Sequence, residues 1–144
     1  MIQNEREAPG RLAVQVVAEA MAAYQRGDLD ALAALVHPEA EIEMLVLGGA
    51  AAHGPEGLVE ALVHASEGVH RPTMTSVEGI GPDAALMIGR IQYTEPRGSL
   101  TDRKAVWLTV LRDGLLWRTR VFESDTEARA YYAGVFEELE RSTG

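Results

Sequence analysis

The chain is expected to fold as one α+β domain with its layers segregated, helices first and a mostly antiparallel sheet after them. Two observations carry this. Before Pro72 the apolar residues recur at helical spacing, broken by Gly27-Asp28 and Gly54-Pro55; after it they run in strand-like blocks separated by turn residues such as Gly81-Pro82-Asp83 and Asp113-Gly114. A third is the closing Ser124-Asp125-Thr126-Glu127, a capping box that starts a terminal helix.

The first helix runs from Arg11 to Arg26, with Leu12, Val16, Ala20 and Ala23 on one stripe and Ala13, Val17, Met21 and Tyr24 beside it. Such a broad apolar face suits a helix lying across a sheet. Gly27 closes it in the left-handed conformation, and the Asp28 carboxylate caps the orphan amides of a second helix. Leu29, Leu32, Leu35 and Val36 give that helix its stripe, and Pro38 ends it near Val36 or His37. A strand follows over Glu39–Leu47. Pro55 opens a third helix with Leu58, Ala61, Leu62 and Ala65, stopped at Gly68. Strands are expected over Thr73–Ile80, Ala84–Thr94, Lys104–Leu111 and Leu115–Glu123. The terminal helix carries Ala128, Tyr132, Val135 or Phe136, and Leu139. Residues 1–10 are polar and read as a disordered tail, leaving 11–144 as the single domain.

A two-residue turn at Asp113-Gly114 pairs Val110 with Trp117, Leu108 with Thr119 and Val106 with Val121. This more apolar set is placed toward the helices. Trp107, Arg118, Arg120 and Phe122 then form an outer face, with Trp107 stacked on Arg120, and aromatic residues beside arginine suit a homodimer interface. A bulge in either strand would invert the assignment.

Composition narrows the partners. With 144 residues the chain can bury a core without staples. It has no cysteine, which removes thiol chemistry and suits the cytoplasm. A net charge of −9 argues against nucleic acid and anionic membranes, and no apolar run is long enough to span a bilayer. The basic residues lie mostly in the C-terminal half. There is no phosphate loop, metal-ligand cluster or nucleophile elbow, so neither metal nor cofactor is expected.

The succession Gly27-Asp28-Leu29-Asp30, His37-Pro38-Glu39, His53-Gly54-Pro55-Glu56-Gly57, Arg112-Asp113-Gly114 and the Glu123–Ala128 ending resembles the SnoaL-like and ketosteroid-isomerase-like branch of the nuclear transport factor 2-like superfamily, from about Val14 to Ala133. The resemblance implies a cone in which a curved sheet wraps the long helix and leaves a pocket at its open end, and it implies frequent dimers. Members include isomerases, epoxide hydrolases, polyketide cyclases and dehydratases. Aligned on Gly27, the isomerase tyrosine falls on Ala20, its aspartate base on Met44, and its second acid on Leu108 or Trp107. None of these moves a proton. Against limonene-type epoxide hydrolases, the arginine is kept as Arg90, but the paired aspartate is Gln92, the second aspartate is Val121, and the tyrosine and asparagine fall on Ile42 and Met44. Gln92 cannot take a proton from water.

The same carry-over lines the pocket with Tyr24, Met44, Arg90, Gln92, Leu108, Thr119 and Val121, among others, and Arg90 with Gln92 would grip a carbonyl, carboxylate or hydroxyl. Glu41 and Glu43 should face away. His53 and Glu123 are the weak candidates for an acid–base group; His37 reads as structural, and His64 and His70 as surface or loop residues. The expected function is a small-molecule pocket protein with a hydrophobic ligand. The alternatives are an acid–base enzyme on a hydrophobic substrate and a non-catalytic dimeric interaction module.

Overall fold

The computed structural model describes residues 11–65 and 67–143, and for Val46 and residues 136–143 the backbone only. The tail assigned to residues 1–10 lies outside the described residues, as do the Phe136 and Leu139 side chains. In chain order the elements are α1 (Arg11–Arg26), α2 (Leu29–Ala33), β1 (Val36–Glu43), a 3-10 turn (Leu45–Leu47), β2 (Ala51–His53), α3 (Gly54–Ala65), β3 (His70–Ile80), β4 (Ala84–Thr94), β5 (Leu100–Arg112), β6 (Leu115–Phe122) and α4 (Asp125–Thr143). This is the α+β architecture expected. The six strands form one sheet in the order β2-β1-β6-β5-β4-β3, antiparallel except where β1 runs parallel to β6.

The break after α1 forms as its residues dictate. Gly27 has φ +74°, its N–H bonds to the Tyr24 carbonyl, and the Asp28 N–H reaches back to the Ala23 carbonyl. Those two bonds are a Schellman closure. The Asp28 carboxylate accepts from the Ala31 N–H at 3.1 Å and caps α2. α2 stops at Ala33, earlier than expected, because the chain is already extended at Val36 and β1 runs through Pro38. The proline is tolerated because the β1–β6 register shifts between Val36 and Glu41, so no ladder bond is asked of it. At its other end β1 leaves the sheet at Glu43, four residues before the expected end of the strand. The chain then loops back, with the Met44 N–H on the Ala50 carbonyl, to make the unanticipated strand β2. β3 begins at His70, ahead of Pro72, which sits on the sheet edge where a missing donor costs little.

The hairpin turn forms at Asp113-Gly114, with φ values of +55° and +77°, as a two-residue type I′ turn requires. Arg112 pairs with Leu115 and Leu111 with Leu116, but Val110 then pairs with Arg118. Trp117 is an extra residue, a β-bulge. Beyond it Thr109 meets Thr119 and Trp107 meets Val121. The expected facing of β5 is therefore inverted. Trp107, Thr109 and Leu111 point to the helices, while Val106, Leu108 and Val110 lie on the other face. β4 follows β5, so Ala85, Met87, Ile91 and Tyr93 are inside, and Ala84 and Leu86 are outside.

The outer face is not bare. α4 lies on it and builds a second core from Ala128 and Tyr132 against Leu86, Val106, Leu108 and Val110. The Tyr132 hydroxyl donates to the Asp83 carboxylate at 3.2 Å; burial first, then the Asp83 charge and this bond, pushes the tyrosine pKa well up. Its capping box forms: Ser124 Oγ accepts from the Glu127 N–H at 3.2 Å. On the inner face Ala13, Val16, Val17, Ala20 and Ala23 bring α1 close to the sheet, and Leu58, Ala61, Leu62 and Ala65 of α3 complete the main core.

The surface assigned to self-association changes accordingly. Trp107 is buried on the inner face. Phe122 packs against Tyr131 of α4, with ring centroids 5.5 Å apart. Arg120 lies over Tyr131 rather than over Trp107, and Arg118 lies 4.4 Å from the Trp117 ring centroid.

Gly89 sits opposite Met74, beside a register shift in β3 between Met74 and Ser76. A Cβ there would collide with the Thr73 carbonyl oxygen, so the sheet bends over a position that admits no side chain. Gly89→Ala is expected to destabilise the fold by about 1–3 kcal/mol, read as a lower urea midpoint at unchanged m-value.

Candidate functional site

A cavity of about 150 Å³ lies between α1, α3 and the inner sheet face. α1 contributes Val17, Ala20, Met21 and Tyr24 at helical spacing, and α3 contributes Leu58 and Leu62. The floor is Met87 and Ile91 of β4, with Trp107 and Thr109 of β5 and Leu116 and Thr119 of β6. The wall is mostly apolar, and besides the Trp107 indole N–H its polar groups fall into three sets.

The first joins Tyr24 to His70. The Tyr24 hydroxyl is 2.6 Å from His70 Nδ1 and donates to the His70 backbone carbonyl at 2.8 Å; the two rings meet edge-on at 5.5 Å. Burial raises the Tyr24 pKa and lowers that of His70, so both side chains are held neutral. The second set is the buried pair Thr109 and Thr119, whose hydroxyls share a hydrogen bond of 3.1 Å across the hairpin. The third is Glu43, where β1 peels off the sheet. Its carboxylate accepts from the Val121 N–H at 3.1 Å, standing in for the backbone carbonyl that β1 no longer supplies, and lies 3.7 Å from Arg120.

Of the expected site residues, Tyr24, Met44 and Thr119 line the cavity. Val121 packs against the main core beside it without lining it. Arg90, Gln92 and Leu108 are on the opposite sheet face, because the bulge at Trp117 shifts the phase of β5 and β4 by one residue. There Asp102 Oδ1 accepts from Arg90 at 3.1 Å and Asp102 Oδ2 from Gln92 at 3.2 Å, while Leu108 is sealed in the second core. His53 is exposed, and so is Glu123, which pairs loosely with Arg103 at 3.6 Å. Neither lines the cavity. His37 is structural as expected: its Nδ1 accepts from the Glu39 N–H at 3.0 Å, and its Nε2 lies 3.5 Å from Asp113.

His70, Glu43, Trp107 and Thr109 are not among the residues the sequence points to. The sequence pattern starts β3 at Thr73 and so hides His70, whose only local cue is its place just before an edge-strand proline. Strict alternation points Glu43 outward, and alternation fails at the last residue of a strand. Among the described residues, no cluster of three His, Asp or Glu could hold a metal ion, and no helix is long and apolar enough to cross a membrane.

The sequence matches the SnoaL-like domain over residues 17–119, more than half of the chain. The chain belongs to the SnoaL-like domain family. Its fold is that of several solved structures. A Δ5-3-ketosteroid isomerase from a Mycobacterium species is 18% identical, with a TM-score of 0.63 over 77% of this chain and 92% of that one. A Mycobacterium tuberculosis protein in complex with estradiol-17β-hemisuccinate is 16% identical, with a TM-score of 0.64 over 80% and 95%. A proposed polyketide cyclase from Xanthomonas campestris is 18% identical, with a TM-score of 0.60 over 84% and 96%. At these identities the likeness concerns the fold. Comparison with curated protein sequences gives no match. In this SnoaL-like chain the cavity occupies the space between helix and sheet, with Ala20 and Met44 in its wall.

The lowered His70 pKa has a consequence for stability. The folded state binds that proton less readily than the unfolded chain, so the penalty is absent above the ordinary histidine pKa of 6.5 and grows as pH falls through it. Between about pH 7.5 and about pH 5, wild-type stability should therefore fall more steeply than that of His70→Gln, as measured by urea unfolding at each pH. Parallel curves would contradict it.

Proposed function

We propose that this protein binds a hydrophobic small molecule in the cavity between α1 and the inner sheet face. The observation that carries the reading is an apolar cavity of about 150 Å³ whose few polar groups, Tyr24–His70, Thr109–Thr119, Glu43 and the Trp107 indole, come from separate elements and converge on it. Apolar walls supply affinity, and a small number of placed polar groups supply orientation. Structural neighbours of the same fold include one complexed with estradiol-17β-hemisuccinate and a computationally designed 17-OHP binder. The catalytic alternative built on His53 or Glu123 lacks support, since a general base must stand within hydrogen-bond reach of the atom it serves and both residues are outside the cavity. The absence of cysteine favours a reducing, cytoplasmic setting.

Self-association through the outer sheet face belongs to the same proposal in altered form. The support is the patch of Trp117 with Arg118 over its ring, a composition that suits interfaces. Sedimentation as a monomer at micromolar concentration would remove it.

A ligand-stabilisation screen with hydrophobic carbonyl and hydroxyl compounds tests the main reading. A compound present at a hundred times its Kd should stabilise the fold by about 2.7 kcal/mol. Ala20→Leu, which fills the cavity from α1, should keep or raise the melting temperature while weakening any such ligand at least about tenfold. A ligand bound equally well by Ala20→Leu lies elsewhere.

A further inference from the structure

The Tyr24–His70 contact determines where its protons are. The phenol hydroxyl has one proton and stands 2.8 Å from the His70 carbonyl oxygen and 2.6 Å from His70 Nδ1. If that proton went to Nδ1, two oxygens would face each other at 2.8 Å with nothing between them. If it goes to the carbonyl, Nδ1 carries its own proton and donates to the tyrosine oxygen, and both contacts are hydrogen bonds. The second arrangement is the consistent one. It makes His70 the Nδ1–H tautomer and places the lone pair on Nε2.

Nε2 has no partner among the described residues. It is not sealed either, because no fully buried side-chain nitrogen or oxygen among them lacks a partner. His70 lines the cavity, and with Tyr24 it also lines a surface groove of about 440 Å³ running past Gly27 and Arg71. Burial keeps His70 below its ordinary pKa, so the lone pair persists at neutral pH. At His70 the site therefore presents an acceptor, which asks the ligand for a donor, while the Trp107 indole N–H on the same wall is a donor. The volume of about 150 Å³ is the scale of a cavity that holds one benzene ring.

We propose that the cavity selects a compact, single-ring apolar molecule bearing one hydroxyl, and that this hydroxyl donates its hydrogen bond to His70 Nε2. The inference rests on the pocket reading above. It gives that pocket a ligand class, a phenol or cyclic alcohol, and gives His70 the role of specificity determinant. Tyr24 is a positioning residue that orients the ring and fixes its tautomer.

Calorimetric titration of the wild type with phenol, anisole and toluene tests it. The three share one ring, and only phenol donates a hydrogen bond. Phenol is expected to bind about tenfold tighter than anisole, and His70→Phe should abolish that preference while retaining toluene. Should His70→Phe fail to fold, nitrogen-15 spectra of the wild type carry the same test. His70 Nε2 should resonate as an unprotonated imidazole nitrogen and move on adding phenol but not toluene. Anisole binding as well as phenol would mean that a donor on the wall, the Trp107 indole or the Thr109–Thr119 pair, serves the ligand instead, and would overturn the proposal. Equal binding of all three would overturn it too, with the pocket reading intact. If none of the three binds while larger hydrophobic carbonyl compounds raise the melting temperature, the single-ring class is wrong and the pocket reading stands. If neither set binds, the pocket reading itself fails.

Discussion

The bulge at Trp117 is the constraint on which the cavity depends. One extra residue in β6 lets the type I′ turn at Asp113-Gly114 keep its geometry while Thr109, rather than Leu108, meets Thr119. The side-chain period of a strand is two, so a slip of one exchanges the faces. Trp107 and Thr109 enter the cavity wall, and Val106, Leu108 and Val110 go to the far side. β4 is paired to β5 without a break and inherits the exchange, which sends Arg90 and Gln92 to Asp102 and away from the helices. Without the bulge, the inner face of β5 would carry Leu108 and Val110.

The second core makes that register affordable. Outward Leu86, Leu108 and Val110 would form an apolar patch if α4 did not cover them with Ala128 and Tyr132. Helices on both faces of β4 and β5 give a three-layer centre, and the cavity survives because α1 approaches the sheet with alanines at positions 13, 20 and 23. A larger residue at Ala20 would fill the space that Tyr24 and His70 border. The site is thus a gap maintained by small residues on one helix, with polar groups supplied where strands begin, end or pair. His70 opens β3, Glu43 closes β1, and Thr109 and Thr119 face each other across the hairpin.

Membership of the SnoaL-like domain family accounts for the shape of this space and says little of what enters it, because fold and chemistry are separable. Ala20 and Met44 line the cavity without a titratable group, and its polar chemistry comes from other positions. One helical turn beyond Ala20, Tyr24 reaches across to His70, a residue 46 positions later in the chain. Such a pair is invisible to a search along one element, since neither residue has a local partner.

Local signals determined by themselves the break at Gly27-Asp28, the start of α3 at Gly54-Pro55, the hairpin turn and the capping box of α4. Each is a backbone demand that a single residue type meets within a few positions. The family was legible too, as a succession of such punctuation. Facing in the central strands was not. Ala84 to Met87 and Ala105 to Leu111 are buried throughout, and a strand buried on both sides has no apolar–polar alternation to show which side is which. That choice was made by tertiary structure, through one bulge at Trp117 and one covering helix. With it came the cavity's composition, including the meeting of Tyr24 and His70, because which side chains share a space depends on how distant strands register against each other.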